Sequence, residues 1–107
     1  MSSTPEPPDD SSEATLILVP ERIAFRVGRG EVVVTRTQFR LMSVLFAEPG
    51  RTFSRSELVE KGIGDLVSER TVDVHVKELR RKLGSHGWRI ETVRGRGYRY
   101  REHLAGE

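Results

Sequence analysis

Between Leu16 and Arg101 the apolar positions change period several times, and each change predicts a new element. Leu16-Ile17-Leu18-Val19 is a short apolar run stopped by Pro20. Arg22–Val27 alternates polar and apolar residues, which puts Ile23, Phe25 and Val27 on one strand face. Gly28-Arg29-Gly30 offers a hairpin turn into Glu31–Val34, so a small antiparallel sheet is predicted. The spacing then turns helical: Phe39, Met42, Leu45 and Phe46 form a stripe that Leu41 and Val44 widen. Thr35-Arg36-Thr37-Gln38 ahead of it matches a capping box, and Glu48-Pro49-Gly50 supplies the stop.

Thr52-Phe53 is long enough only for one short strand. Ser54-Arg55-Ser56-Glu57 is a second capping box, opening a helix to about Lys61 that buries Leu58. A third helix is predicted over Glu69–Leu83, with Ser68 as N-cap and Gly84 closing it. Val72, Val76, Leu79 and Leu83 give it a single narrow apolar stripe. Trp88–Arg94 and Tyr98–Arg101 then read as two strands joined by Gly95-Arg96-Gly97. The predicted order is sheet, helix, short strand, helix, helix, hairpin.

Composition narrows the class. A chain of 107 residues is one domain with a modest core. Absence of Cys excludes disulfides, thiolate zinc sites and thiol nucleophiles together. No apolar run approaches the roughly 20 residues of a membrane helix, and the N-terminus lacks the basic and apolar regions of a secretory signal. A soluble, cytoplasmic protein with no membrane contact is expected. Residues 1–14 carry four acids and no base and are poor in apolar side chains, so they are predicted to be a disordered acidic tail. The folded domain then spans 15–103, with 104–107 as a C-terminal tail.

Charge placement changes the picture more than its total. The formal net charge is only +2, yet residues 70–101 hold ten bases and three acids. A stretch that basic points to a polyanionic partner.

With the apolar stripe of the third helix turned inward, Arg70, Val74, Lys77, Glu78 and Arg81 face out, flanked by Thr71, Asp73 and Arg80. Such a helix is roughly 22 Å long, and one face of it can enter a DNA major groove with its basic side chains reaching both phosphate rows. The plainer alternative is an ordinary solvated helix with i,i+4 pairs Asp73–Lys77 and Glu78–Lys82. The hairpin adds weight to the first reading. Thr92-Val93-Arg94-Gly95-Arg96-Gly97-Tyr98-Arg99-Tyr100-Arg101 places Arg94 and Arg96 beside a narrow glycine tip. Guanidinium forks suit phosphate and the guanine edge, and Tyr98 can offer a hydroxyl to a phosphate. A groove helix followed by a basic hairpin is the plan of a winged helix.

Three segments carry a specific resemblance: Arg70-Thr71-Val72-Asp73-Val74-His75-Val76, Leu79-Arg80-Arg81-Lys82-Leu83, and the hairpin Thr92–Tyr100. Together they closely resemble the DNA-binding domain of OmpR/PhoB-type response regulators. Thr35–Leu41 and Pro49–Leu58 look like the first two helices of that family and the strand between them. The resemblance covers residues 16–101. It implies an α+β fold, a winged helix-turn-helix with an N-terminal antiparallel sheet, three helices and a C-terminal β-hairpin wing. It further implies sequence-specific binding of double-stranded DNA to regulate transcription, with helix 69–83 in the major groove and wing 92–100 at the minor groove. By the same resemblance Arg70, Thr71, His75 and Arg80 hold phosphates and Val74 lies against base methyl groups. Lys77 and Glu78 occupy positions that face the groove floor or its edge, and Arg81, outward on the same helix, is a further DNA-binding candidate. Thr92, Arg94, Arg96 and Tyr98 fall at wing positions, with Arg94 entering the minor groove.

Two departures from the family pattern stand out. The position of Glu78 is often basic there; a carboxylate either accepts from a cytosine amino group or is held along the helix by Lys82 or Arg81. The loop between helices two and three reads Ile63-Gly64 where Trp-Gly is common, and Asp65–Ser68 is about two residues shorter than usual. Family members are thought to touch RNA polymerase through this 62–68 loop. The family also places a phosphoacceptor receiver domain ahead of this one, for which the chain has no room. It is then an excised effector domain or a free-standing regulator, a monomer that pairs head-to-tail on tandem half-sites.

Enzyme chemistry finds little support in the sequence. His75, His86 and His103 lack metal-ligand spacing, and no serine elbow or P-loop is present. No catalytic residue, metal or cofactor is expected. His86 and His103 are predicted on the surface, while His75 is a candidate hydrogen-bond donor to phosphate. A rival of another class is a winged-helix protein-interaction module docking an acidic partner, such as a transcription-machinery subunit.

Overall fold

The structure, a computed structural model, describes residues 15–63 and 68–102. The two predicted tails, His103 and most of the 62–68 loop lie outside the described residues. Strands β1 (Leu16–Val19), β2 (Ala24–Val27) and β3 (Gly30–Val33) form an antiparallel sheet in that order. Its second strand starts later than the alternation predicts. The tight turn Pro20–Arg22 reverses the chain by returning the Ile23 N–H to the Pro20 carbonyl at 3.1 Å, which forces Ile23 to φ +49. Ile23 therefore stands ahead of the strand, yet it packs, half-buried, against the core that holds Phe25. At the next turn Gly28 adopts φ +60, and Val27 pairs with Gly30 across a two-residue loop.

Helix α1 spans Arg36–Ala47. Its capping box forms as the sequence predicts: the Gln38 N–H donates to Thr35 Oγ1, and the Thr35 N–H donates to Gln38 Oε1, both at 3.1 Å. Leu41, Met42 and Leu45 are its fully buried residues, so the stripe is centred closer to Leu41 than the periodicity suggests. Phe39 and Phe46 sit at its margins, the first stacked on Phe25 at 5.6 Å and the second edge-on to Tyr100 at 5.1 Å.

The second capping box also forms, Ser54 with Glu57 at 3.0 Å in both directions, and opens α2 (Arg55–Leu58). A wider turn, Val59–Ile63, continues it. The expected short strand is a single antiparallel bridge between Phe53 and Tyr98.

Helix α3 is shorter than predicted. A tight turn Glu69–Thr71 precedes an α-helix at Val72–Leu83. Ser68 caps with its carbonyl, not its side chain, accepting from the Thr71 N–H at 3.1 Å and the Thr71 hydroxyl at 3.0 Å. The predicted stripe Val72, Val76, Leu79 and Leu83 is fully buried. Gly84–Arg89 then winds as a third tight turn, so β4 begins at Ile90 instead of Trp88. Strands β4 (Ile90–Val93) and β5 (Gly97–Tyr100) pair antiparallel, leaving Arg94-Gly95-Arg96 as the tip.

His86 contradicts the surface prediction and is fully buried. The reason is the Gly84–Arg89 turn, which folds against α3 so closely that a Cβ on Gly87 would lie 3.1 Å from the Arg80 carbonyl. Within that turn the buried Arg89 donates to His86 Nδ1 at 3.3 Å and to the Tyr100 hydroxyl at 3.0 Å. One apolar cluster, from Leu16 and Phe25 through Leu45, Phe53 and Leu58 to Leu83, Ile90 and Tyr100, joins sheet, helices and hairpin. It fixes the outward face of α3 beside the β4–β5 wing.

Candidate nucleic-acid interface

With its apolar stripe committed to the core, α3 presents the opposite face to solvent. Arg70, Val74, Lys77 and Arg81 are exposed, and Thr71, His75, Glu78 and Arg80 are half-buried on its flanks. Val74 is 57% exposed, an unusual place for a β-branched apolar side chain unless it meets another apolar surface. On the wing Thr92, Arg94, Gly95 and Arg96 are exposed. Gly95 takes φ +74 to make the turn, and the Arg96 N–H closes it on the Val93 carbonyl at 2.8 Å. Arg70, Lys77, Arg94 and Arg96 make no ion pair among the described residues. Other bases of the same stretch are spent internally. Arg99 pairs with Glu91 across the wing at 2.6 Å, and Lys82 reaches α1 to donate to Gln38 Oε1 at 2.9 Å.

The two i,i+4 pairs expected along α3 do not form. Lys82 is drawn to Gln38, so Glu78 pairs with Arg81 one turn on, at 2.5 Å. This hydrogen bond, with the nearby charges of Arg81, Lys82 and Lys77, holds the Glu78 carboxyl below its ordinary value. Asp73 turns away from Lys77 towards α2 and the wing. It accepts from Arg55 Nε at 2.7 Å and from the Tyr98 hydroxyl. Those two bonds, Arg55 first, hold its carboxyl below the usual range. Burial and the Asp73 contact push the Tyr98 phenol up.

Tyr98 is thus used differently from the sequence reading. It is 4% exposed, and its one hydroxyl proton is directed at Asp73 instead of outward to a phosphate. Its ring lies under two guanidiniums, Arg55 at 5.3 Å and Arg80 at 5.7 Å. Arg80, expected at a phosphate, stitches α3 to β4: Nε and Nη2 donate to the Ile90 carbonyl at 2.9 and 2.7 Å, and Nη2 also to Thr92 Oγ1 at 2.7 Å. Only Nη1 stays without a partner among the described residues. Arg55 joins the site without any local signal, because its partner is 18 residues away in sequence.

The remaining chemistry is quickly stated. Among the described residues no three His, Asp or Glu side chains converge as metal ligands, and no helix is long and apolar enough to cross a membrane. What the geometry offers is a helix face and a hairpin tip, both cationic, held in fixed relation by Arg80, Asp73 and Tyr98.

Residues 29–100 match the protein family described as "Transcriptional regulatory protein, C terminal". Among curated relatives, the phosphate regulon transcriptional regulatory protein PhoB of Rhizobium meliloti is 49% identical over 72 residues, covering 64% of this chain and 32% of that protein. The chain thus spans about a third of the length of that relative. Among solved structures, the DNA-binding domain of the response regulator AdeR, in complex with an intercistronic region, superposes with a TM-score of 0.71 at 29% identity, covering 81% of this chain and 94% of that one. The Klebsiella pneumoniae RstA DNA-binding domain, in complex with the RstA box, gives 0.70 at 26% identity, covering 83% and 93%.

Proposed function

Because the chain belongs to the transcriptional-regulator C-terminal family, the winged-helix domains of OmpR/PhoB-type response regulators, we propose that it binds double-stranded DNA sequence-specifically to regulate transcription. Helix α3 enters the major groove, and the Arg94–Arg96 tip reaches the adjacent minor groove. The observation that carries this reading is the set of cations that make no ion pair among the described residues: Arg70 in the turn that leads into α3, Lys77 on α3, and Arg94 and Arg96 on the wing. Val74 lies among them as the apolar contact for a thymine methyl. Arg70, Thr71 and His75 hold phosphates, joined by Nη1 of Arg80, and Lys77 and Arg81 reach groove edges. Tyr98 serves the wing from beneath.

The domain acts without catalysis and in the cytoplasm, as a monomer that pairs head-to-tail on tandem half-sites. The family resemblance alone supports RNA polymerase as a protein partner through the 62–68 loop, against which its Ile63-Gly64 pair and short length count. The decisive experiment first selects bound duplexes from a random-sequence pool, then titrates a selected duplex at several salt concentrations. Each phosphate neutralised adds about 0.9 to the log–log salt slope. A flat slope, or no binding near about 50 mM salt, overturns the reading.

A further inference from the structure

Asp73 is an acid on a face whose task, on the reading above, is to approach phosphates. On charge alone its removal should tighten DNA binding. Its contacts suggest another use. It lies in the first turn of α3 and receives two donors from different elements, Arg55 of α2 and the hydroxyl of Tyr98 in β5. An exposed ion pair of the Arg55–Asp73 kind adds little to stability. The bond to Tyr98 differs, because it ties a nearly buried wing residue to the recognition helix.

The backbone of Tyr98 is already fixed on its other side. Its N–H donates to the Phe53 carbonyl at 3.0 Å, and its carbonyl accepts from the Phe53 N–H at 2.8 Å. Arg80 holds the root of β4 through Ile90. These contacts keep the hairpin on the domain whether or not the Tyr98 hydroxyl is present. The hydroxyl adds the link from the wing to the first turn of α3, close to Arg70 and Thr71. Tyr98 follows Gly97 at the exit from the Arg94-Gly95-Arg96 tip, so this link sets where the tip stands relative to the helix.

Resting on the DNA reading, we propose that Asp73 is a positioning residue, latching the wing to the recognition helix through Tyr98. Base pairs under the wing are discriminated only while the latch is closed. The positioning role and the charge effect predict opposite signs: removing Asp73 lowers discrimination under the wing even as it removes a charge that repels phosphate.

The test uses the whole chain with Tyr98→Phe, which leaves charge unchanged, and with Asp73→Ala, each alone and combined with Arg94→Ala. Positions under the wing are defined as those where Arg94→Ala alters base preference. Tyr98→Phe is expected to reduce discrimination there by about five- to tenfold, to spare positions read by α3, and to add nothing in the Arg94→Ala background. Discrimination kept within about twofold, losses spread over every position in step with Tm, or additive losses in the double variant would each overturn the latch. If Asp73→Ala does not fold, Tyr98→Phe carries the test alone. Amide exchange across Thr92–Gly97, measured without DNA, separates the two readings: faster exchange in Tyr98→Phe supports the latch, and unchanged exchange removes it. Failure of the unsubstituted chain to bind any duplex removes the DNA reading instead.

Discussion

Glu78 holds Arg81 at 2.5 Å across one turn of the exposed face of α3, pairing an acid with a base where an approaching polyanion would meet both. The carboxyl, held low by that contact, is ionised at neutral pH. Replacing it with Gln removes a negative charge and releases the guanidinium. Glu78→Gln is expected to raise affinity several-fold for all duplexes alike at low salt, with the salt slope steeper by about 0.9. Fluorescence anisotropy on a panel of duplexes reads this. A loss confined to one base pair would show that the carboxylate accepts from a base.

Gly97 is the tightest point of the wing. A Cβ there would lie 1.9 Å from the Phe53 carbonyl oxygen, and its φ of +148 disfavours any L side chain. Gly97→Ala is expected to destabilise the domain by about 3 kcal/mol, because the bridge between Phe53 and Tyr98 must open to admit the methyl. Gly95, at φ +74, has open space around it, with nothing within 4 Å of where a Cβ would stand. Gly95→Ala should therefore cost only about 1 kcal/mol, the strain of the left-handed backbone alone. Urea melts of the two variants side by side decide it. Equal losses would mean that backbone strain, and not the contact with Phe53, sets the effect.

Arg80→Ala deletes the donors to the Ile90 carbonyl and the Thr92 hydroxyl. A stability loss of about 1–3 kcal/mol is expected, a Tm decrease of roughly 4–8 °C for each kcal/mol in a domain of this size. DNA affinity should fall for all sequences. Arg94→Ala, at the exposed tip, should leave Tm unchanged and weaken discrimination between sequences. A drop in Tm for Arg94→Ala, or none for Arg80→Ala, contradicts this division of roles.

Acid and alkali should loosen the Arg55–Asp73–Tyr98 cluster from opposite ends, acid through the carboxyl that Arg55 and then Tyr98 hold low, alkali through the phenol that burial and then Asp73 push up. The Asp73 carboxyl lies below its ordinary 3.8, so its contribution is complete above about pH 4 and is lost as pH falls through the lowered value. The Tyr98 phenol lies above its ordinary 10.0, so its contribution is complete below about pH 10 and is lost as pH rises through the raised value. Asp73→Asn should flatten the acid limb of Tm against pH, and Tyr98→Phe the alkaline limb. Parallel curves for variant and parent would show that these two ionisations contribute nothing to folding.

Much of this architecture was legible along the chain. Both capping boxes, the buried stripe of α3, the three-stranded sheet and the wing follow from spacing and turn residues, which act within a few positions of each other. The outward face of α3 followed as well, since burying Val72, Val76, Leu79 and Leu83 leaves Val74, Lys77 and Arg81 no other place. What the charged and polar side chains do there was legible only in part. Local rules offer Lys77 to Asp73, and Lys82 or Arg81 to Glu78; in the fold Glu78 takes Arg81, but Asp73 finds Arg55 and Tyr98, and Lys82 finds Gln38.

Tertiary structure alone decided that His86 is buried, that Tyr98 faces Asp73 and that Arg80 spends its donors on β4. The physical reason is one of range. Hydrophobic periodicity and capping are enforced by neighbours one turn away, so the sequence by itself determined the elements and the faces they bury. A long polar side chain takes whichever partner packing brings within about 3 Å, and only the closed core brings α2, α3 and the wing together.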